Sequence, residues 1–244
     1  MTCYAKVLEK PTLESPIFIE GLPGIGLVAN IAALHLIRTF RMRKMAELRT
    51  TGFQAFVIAT KSGFLRPPAV EIYYHHGAPT DMVVLFGNAQ AITFKAQYEL
   101  CSKAIDLVLP YNPYLVVCMG GIRRDFYREP RGVFGVATSR RWVTKLLSHG
   151  VRLLGGHIYG AAGILMPLAK RKKLDAFCLL TETHGLPDPK AAKIVLEKLC
   201  EILDIKIPLR ELELKARLAD EYLEQLVKSL MEKKEKKAPP SLFI

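Results

Sequence analysis

Short apolar runs alternate along this chain with stretches of helical period. Ile17, Phe18 and Ile19 form an unbroken apolar run that predicts a buried strand, closed by Glu20 and Gly21. Pro23, Gly24 and Gly26 predict a tight turn after it. Ile25, Leu27, Val28, Ile31, Ala32, Leu34 and Leu36 then recur at the spacing of a largely buried helix. A strand, a glycine turn and a helix in this order open an α/β domain. Further strands are expected at 54–59, 70–74, 82–86, 114–119, 132–138 and 176–180, and helices at 93–109 and 140–148. Glycines between 155 and 163 predict a second turn, followed by a helix running to Lys172. Asp188 and Pro189 read as the cap and first residue of a helix carrying Ile194, Leu196, Leu199, Ile202 and Leu203.

Beyond Pro208 the pattern changes. Leu212, Leu214, Leu218, Tyr222, Leu226 and Leu230 make one apolar stripe among charges, the mark of an amphipathic helix. Pro239 and Pro240 stop it, and Leu242, Phe243 and Ile244 follow. The expected organisation is an α/β core over 1–207, an amphipathic helix over 208–237 and a flexible docking tail over 238–244.

With half of 244 residues hydrophobic, a sizeable core is available, yet no apolar run reaches bilayer length. Residues 1–6 lack the pattern of a secretory leader, so a cytoplasmic protein is expected. Five scattered cysteines form no Cys-x-x-Cys pair, which predicts reduced core thiols and no metal site. The net charge of +12 raises nucleic acid as a partner. The charge is dispersed, however, without interleaved aromatics, and reads instead as a basic surface meeting an acidic protein.

The glycine turn, Gly21-x-x-Gly24-x-Gly26, admits two readings. It can cradle a phosphate, or it can let the first helix pack closely on the sheet. It follows neither the dinucleotide order nor the P-loop order. Asn88, Gln90 and Arg123 come directly after strands, where ligand sites gather in open α/β sheets, though such residues also cap turns. His75 and His76 are adjacent and face opposite sides of a strand, poor placement for joint metal binding. His157 in a turn, and Glu182 with His184 as an acid/base pair, are the remaining catalytic candidates. No nucleophile or metal set accompanies them, so no catalytic residue and no cofactor is assigned.

The segments Glu20-Gly-Leu-Pro-Gly-Ile-Gly26, Gly87-Asn-Ala-Gln90, Met119-Gly-Gly-Ile122, Thr181-Glu-Thr-His-Gly185 and Asp188-Pro-x-Ala-Ala192 occur here in one order. Together they resemble the proteasome assembly chaperone two family in its archaeal-type form. The resemblance spans about residues 16 to 220. It implies a three-layer α/β sandwich around a mixed, mostly parallel sheet, akin to nucleoside phosphorylases, without established catalysis. It further implies a chaperone that binds proteasome α subunits and self-associates; whether a paralogous chaperone takes part stays open. Family members of this type carry a C-terminal hydrophobic–tyrosine–any tripeptide that enters pockets of the proteasome α ring. Leu242, Phe243 and Ile244 stand in its place, with Phe for Tyr. The absent hydroxyl removes one hydrogen bond, worth about 0.5–1.5 kcal/mol net. The alternative function is a nucleoside- or nucleotide-binding enzyme using the strand-end loops, with Gly21, Pro23, Gly24, Gly26, Asn88 and Arg123 around its ligand.

Overall fold

The protein is described by a computed structural model covering residues 3–127 and 129–218. The helix expected from 219 onward and the residues Leu242, Phe243 and Ile244 lie outside the described residues. In chain order the strands are β1 Cys3–Val7, β2 Ile17–Gly21, β3 Arg43–Thr50, β4 Ile58–Ala59, β5 Leu65–Arg66, β6 Val70–His75, β7 Met82–Gly87, β8 Leu115–Arg123, β9 Val133–Ala137, β10 Arg152–Leu153 and β11 Ala176–Thr183. The helices are α1 Val28–Thr39, α2 Phe94–Val108, α3 Arg140–Ser148, α4 Gly160–Arg171 and α5 Pro189–Leu203.

Nine strands form one mixed sheet in the order β1-β3-β6-β7-β2-β8-β11-β9-β10. Its centre is parallel: β7, β2, β8 and β11 run the same way. The flanks β1-β3-β6 and the β11–β9 pair are antiparallel. Helices cover both faces, as expected for a three-layer α/β sandwich. One face packs α2 and α4, through Leu100, Ile105, Leu165 and Ala169, against Phe18, Val83, Val116 and Cys178. The other packs α1, α3 and α5, through Ala32, Leu36, Trp142 and Leu196, against Ile17, Ile19, Val84 and Val117. A strand covered on both faces has no polar side, which is why β2, β7, β8 and β11 read as continuous apolar runs.

Two local readings change. The strand expected at 54–59 shrinks to β4, which pairs only with β5 in a separate exposed hairpin. The paired strand in this region is β3, which reads as a charged segment. Its Met45, Ala46 and Leu48 are buried while Lys44 sits between Glu47 and Glu71. Glu47 and Glu71 face each other across the strands, so Lys44 offsets a like-charge contact. A register shift between Lys44 and Ala46 breaks the period of two that would have revealed the strand. Likewise β8 does not end at Gly120 but continues to Arg123, paired with β11 to its last residue.

Helix ends follow their caps. The Thr93 hydroxyl accepts the Ala96 N–H at 3.2 Å, and the Asp188 carboxylate accepts the Ala191 N–H at 2.9 Å. Past α5, residues 210–218 are helical, with Leu212 fully buried in the core face shared by α1 and α5.

Candidate functional site

Both glycine turns lie at the C-terminal ends of strands, and they are built differently. In the first, a Cβ on Gly21 would stand 2.1 Å from the Ala33 Cβ, so this glycine lets α1 close on β2. Gly26 has φ +65° and presses against Thr183. Leu27 follows with φ +50°, a strained value for a branched side chain. The strain is held from outside: the Asp188 N–H donates to the Gly26 carbonyl at 2.9 Å, and the Gln90 amide donates to the Pro23 carbonyl. Gly21 and Gly26 therefore serve packing. Gly24 does not: a Cβ there would meet nothing within 4 Å.

Between this turn and the second one, over residues 154–160, opens a cleft of about 500 Å³. Its floor is Glu20 with the Met119, Gly120 and Gly121 segment of β8. One wall carries Leu22, Gly24 and Ile25; the other carries Leu154, Ile158 and Tyr159. Arg123 and Arg124 line it from the end of β8, and the first residues of α4, Gly160 to Ala162, complete it. No side chain caps α4.

Glu20 is the feature that the sequence understated. Side chains alternate along β2, so Glu20 shares the Phe18 face and points beneath α4. It is only 3% exposed. Burial pushes its carboxyl up to about 8, against the downward pull of N–H groups from Leu22, at 2.7 Å, and Met119. A charged residue inside an apolar run was the available signal, and it read as the strand's end. The thiols of Cys101, Cys118 and Cys178, free and buried nearby in the same layer, are likewise pushed up by burial.

The other expected residues separate. Arg123, Gly24 and Gln90 share the cleft; Gly21, Pro23, Gly26 and Asn88 do not line it. The Asn88 side chain accepts the Ala69 N–H at 2.8 Å and donates to the Pro67 carbonyl, so it ties the loop before β6. His157 lines the cleft with its ring stacked near Tyr159. Glu182 and His184 hold separate partners: Glu182 accepts the Gly132 N–H at 3.1 Å, while His184 stacks on Tyr127 at 4.5 Å and reaches the Arg124 carbonyl. Beside them, Arg131 donates to Asp188 at 2.6 Å, and the Thr183 hydroxyl donates to the same carboxylate at 2.8 Å. Around this end of the sheet, Phe64, Leu65, Ile92, Phe94, Phe126 and Leu186 are all more than three-fifths exposed, an apolar fringe on strand-end loops and the β4–β5 hairpin. No helix among the described residues is long and apolar enough to cross a membrane.

A model of the PAC2 family matches residues 18–227. Uncharacterized protein MJ1210 of Methanocaldococcus jannaschii is 36% identical over 226 residues, 91% of this chain and 87% of that protein. Among solved structures, Pyrococcus furiosus PbaB, described as an archaeal proteasome activator, superposes with a TM-score of 0.85 at 30% identity, covering 92% of this chain and 98% of PbaB. Pyrococcus furiosus PbaA, described as an archaeal homolog of proteasome-assembly chaperone, superposes with a TM-score of 0.74 at 26% identity, covering 95% of this chain and 99% of PbaA.

Proposed function

The chain belongs to the PAC2 family, and we propose that it is a non-enzymatic chaperone of proteasome assembly or activation. The finer reading is that it binds proteasome α subunits, acts as a homo-oligomer, and docks through Leu242, Phe243 and Ile244. The observation that carries the proposal is the likeness to PbaB, which extends over nearly the whole of both chains at 30% identity. The apolar fringe of Phe64, Phe94, Phe126 and Leu186 is consistent with it, since a surface of this kind suits protein contacts. An enzymatic reading has less support, because Glu182 and His184 engage different groups and form no working pair.

Size-exclusion chromatography with light scattering, run with and without proteasome α subunits, tests both self-association and partner choice. Co-elution with α subunits is expected at moderate salt; separate elution at every salt concentration rejects the reading. The docking segment is tested by Phe243→Ala. A buried aromatic anchor contributes about 2 kcal/mol or more, so the variant should bind about tenfold more weakly or worse. Phe243→Tyr should bind as well as the parent or better. Parental affinity in Phe243→Ala would move the contact to the globular domain.

A further inference from the structure

We propose that the cleft above Glu20 is a binding site for a nucleoside 5′-phosphate, its base against Glu20 and its phosphate at the amino end of α4. This goes beyond the chaperone reading and does not depend on it. Four features from separate parts of the chain converge there.

The first is the floor. The two groups bonded to the Glu20 carboxyl, the N–H of Leu22 and that of Met119, are both donors. Raised to about 8 by burial, this carboxyl carries a proton at neutral pH, and it lines the cleft where a ligand can meet it. A nucleobase edge, with a ring nitrogen beside an amino group, offers an acceptor and a donor together, the complement of a neutral carboxyl. An aliphatic ligand would set hydrocarbon against this polar floor and leave the proton unpaired. The second feature is the walls, where Ile25, Leu154, Ile158 and Tyr159 give the cleft an apolar lining that can cover a ring.

The third is the anion end. α4 is twelve residues long and has no side-chain cap, and its first residues Gly160, Ala161 and Ala162 stand in the cleft wall. Arg123 and Arg124 line the same cleft as this helix end, Arg124 with its Nε 4.0 Å from a Glu182 oxygen, so the positive end of the helix and two basic residues share one space. The fourth is a pair of glycines. Gly24 and Gly155 both line the cleft, a Cβ on either would touch nothing within 4 Å, and neither has a left-handed φ. Neither packing nor backbone geometry demands glycine at these two positions. The space beside them is open to a ligand.

The test is isothermal titration of the full chain with AMP, GMP, CMP and UMP, with the matching nucleosides and inorganic phosphate as separate arms. At least one monophosphate is expected to bind below about 1 mM, and its nucleoside about tenfold more weakly or worse. Gly24→Leu and Gly155→Leu should keep the parent's melting temperature, since their side chains enter open space, and lose about tenfold or more in affinity. Glu20→Gln, which still offers one donor direction and one acceptor, should bind within about threefold of the parent, whereas Glu20→Met should not bind. Three results overturn the proposal. They are no binding by any of the four monophosphates, a phosphate arm that matches them (an adventitious ion only), and parental affinity in both glycine variants. If Glu20→Met fails to fold, the glycine pair still decides the question.

Discussion

The two glycine turns at the strand ends have similar composition and opposite construction. The turn from Gly21 to Leu27 is closed: Gly21 lies against Ala33, Gly26 against Thr183, and Asp188 and Gln90 hold two of its carbonyls. The turn from Leu154 to Gly160 is open: Gly155 and Gly156 have nothing within 4 Å of an added Cβ, and Tyr159 is four-fifths exposed. Glycine therefore means close approach at Gly21 and Gly26, free space at Gly24 and Gly155, and a left-handed backbone at Gly156 and Gly160, whose φ values are +118° and +76°. The cleft exists because the two are placed face to face, one wall fixed and one unencumbered.

The largest test of this contrast is Asp188. Its carboxylate caps α5, pairs with Arg131 and accepts from Thr183, while its N–H holds the strained Gly26 carbonyl. Arg131 has a side chain only 6% exposed, and removing Asp188 leaves it the half-exposed Glu129 at 3.3 Å as its one carboxylate partner among the described residues, in a poorly solvated place. Asp188→Ala should cost about 2–3 kcal/mol in denaturant unfolding, a lost cap plus a weakened ion pair; a loss no greater than that of a simple cap, about 1 kcal/mol, would show the closed turn to be self-supporting. Next, Gly21→Ala should cost up to about 3 kcal/mol, since overpacking at a rigid helix–sheet contact has little room to relax. A stability equal to the parent's would mean that α1 is not pinned there.

The floor shared by both turns gives a smaller, graded effect. The folded Glu20 carboxyl titrates at about 8, above its ordinary value of 4.5. A raised acid binds its proton more tightly in the folded state, so its contribution is complete below about pH 4.5 and is lost as pH climbs through about 8. Between those limits stability should fall steadily as pH rises. His157, Arg123 and Arg124 line the same cleft, so the comparison that isolates Glu20 is parent against Glu20→Gln, which should flatten the slope in thermal melts from pH 5 to 8. An unchanged slope would place the titration elsewhere. The smallest effect belongs to the open turn: Gly155→Ala should shift stability by no more than about 0.5 kcal/mol. A larger change would erase the difference between the turns.

The β4–β5 hairpin and β3 show how far the chain could be read by eye. Phe56, Val57 and Ile58 look like strand residues, yet they lie in an exposed arm whose only sheet partner is Leu65 and Arg66. Apolar residues signal a strand because most of them are buried, and these are not. Conversely, β3 hides its three core residues among four charges and a bulge, so its identity rests on pairing with β1 and β6, which a linear pattern does not contain.

What the sequence determined by itself was local. The runs in β2, β7, β8 and β11, the cap at Asp188, and the turn at Gly21 to Gly26 follow from short-range sterics and from side-chain period. Those forces act between residues close in the chain. Tertiary structure decided the rest. It sorted Gly24 from Gly21, took Asn88 and His184 out of the cleft, and brought Arg123 and Gln90 in. It also buried Glu20, which closes β2 with Gly21 as the pattern predicts, as an acid beneath α4. A residue's solvation and its partners depend on which distant elements cover it, here α4, which begins 140 residues after Glu20. No neighbour in sequence carries that information.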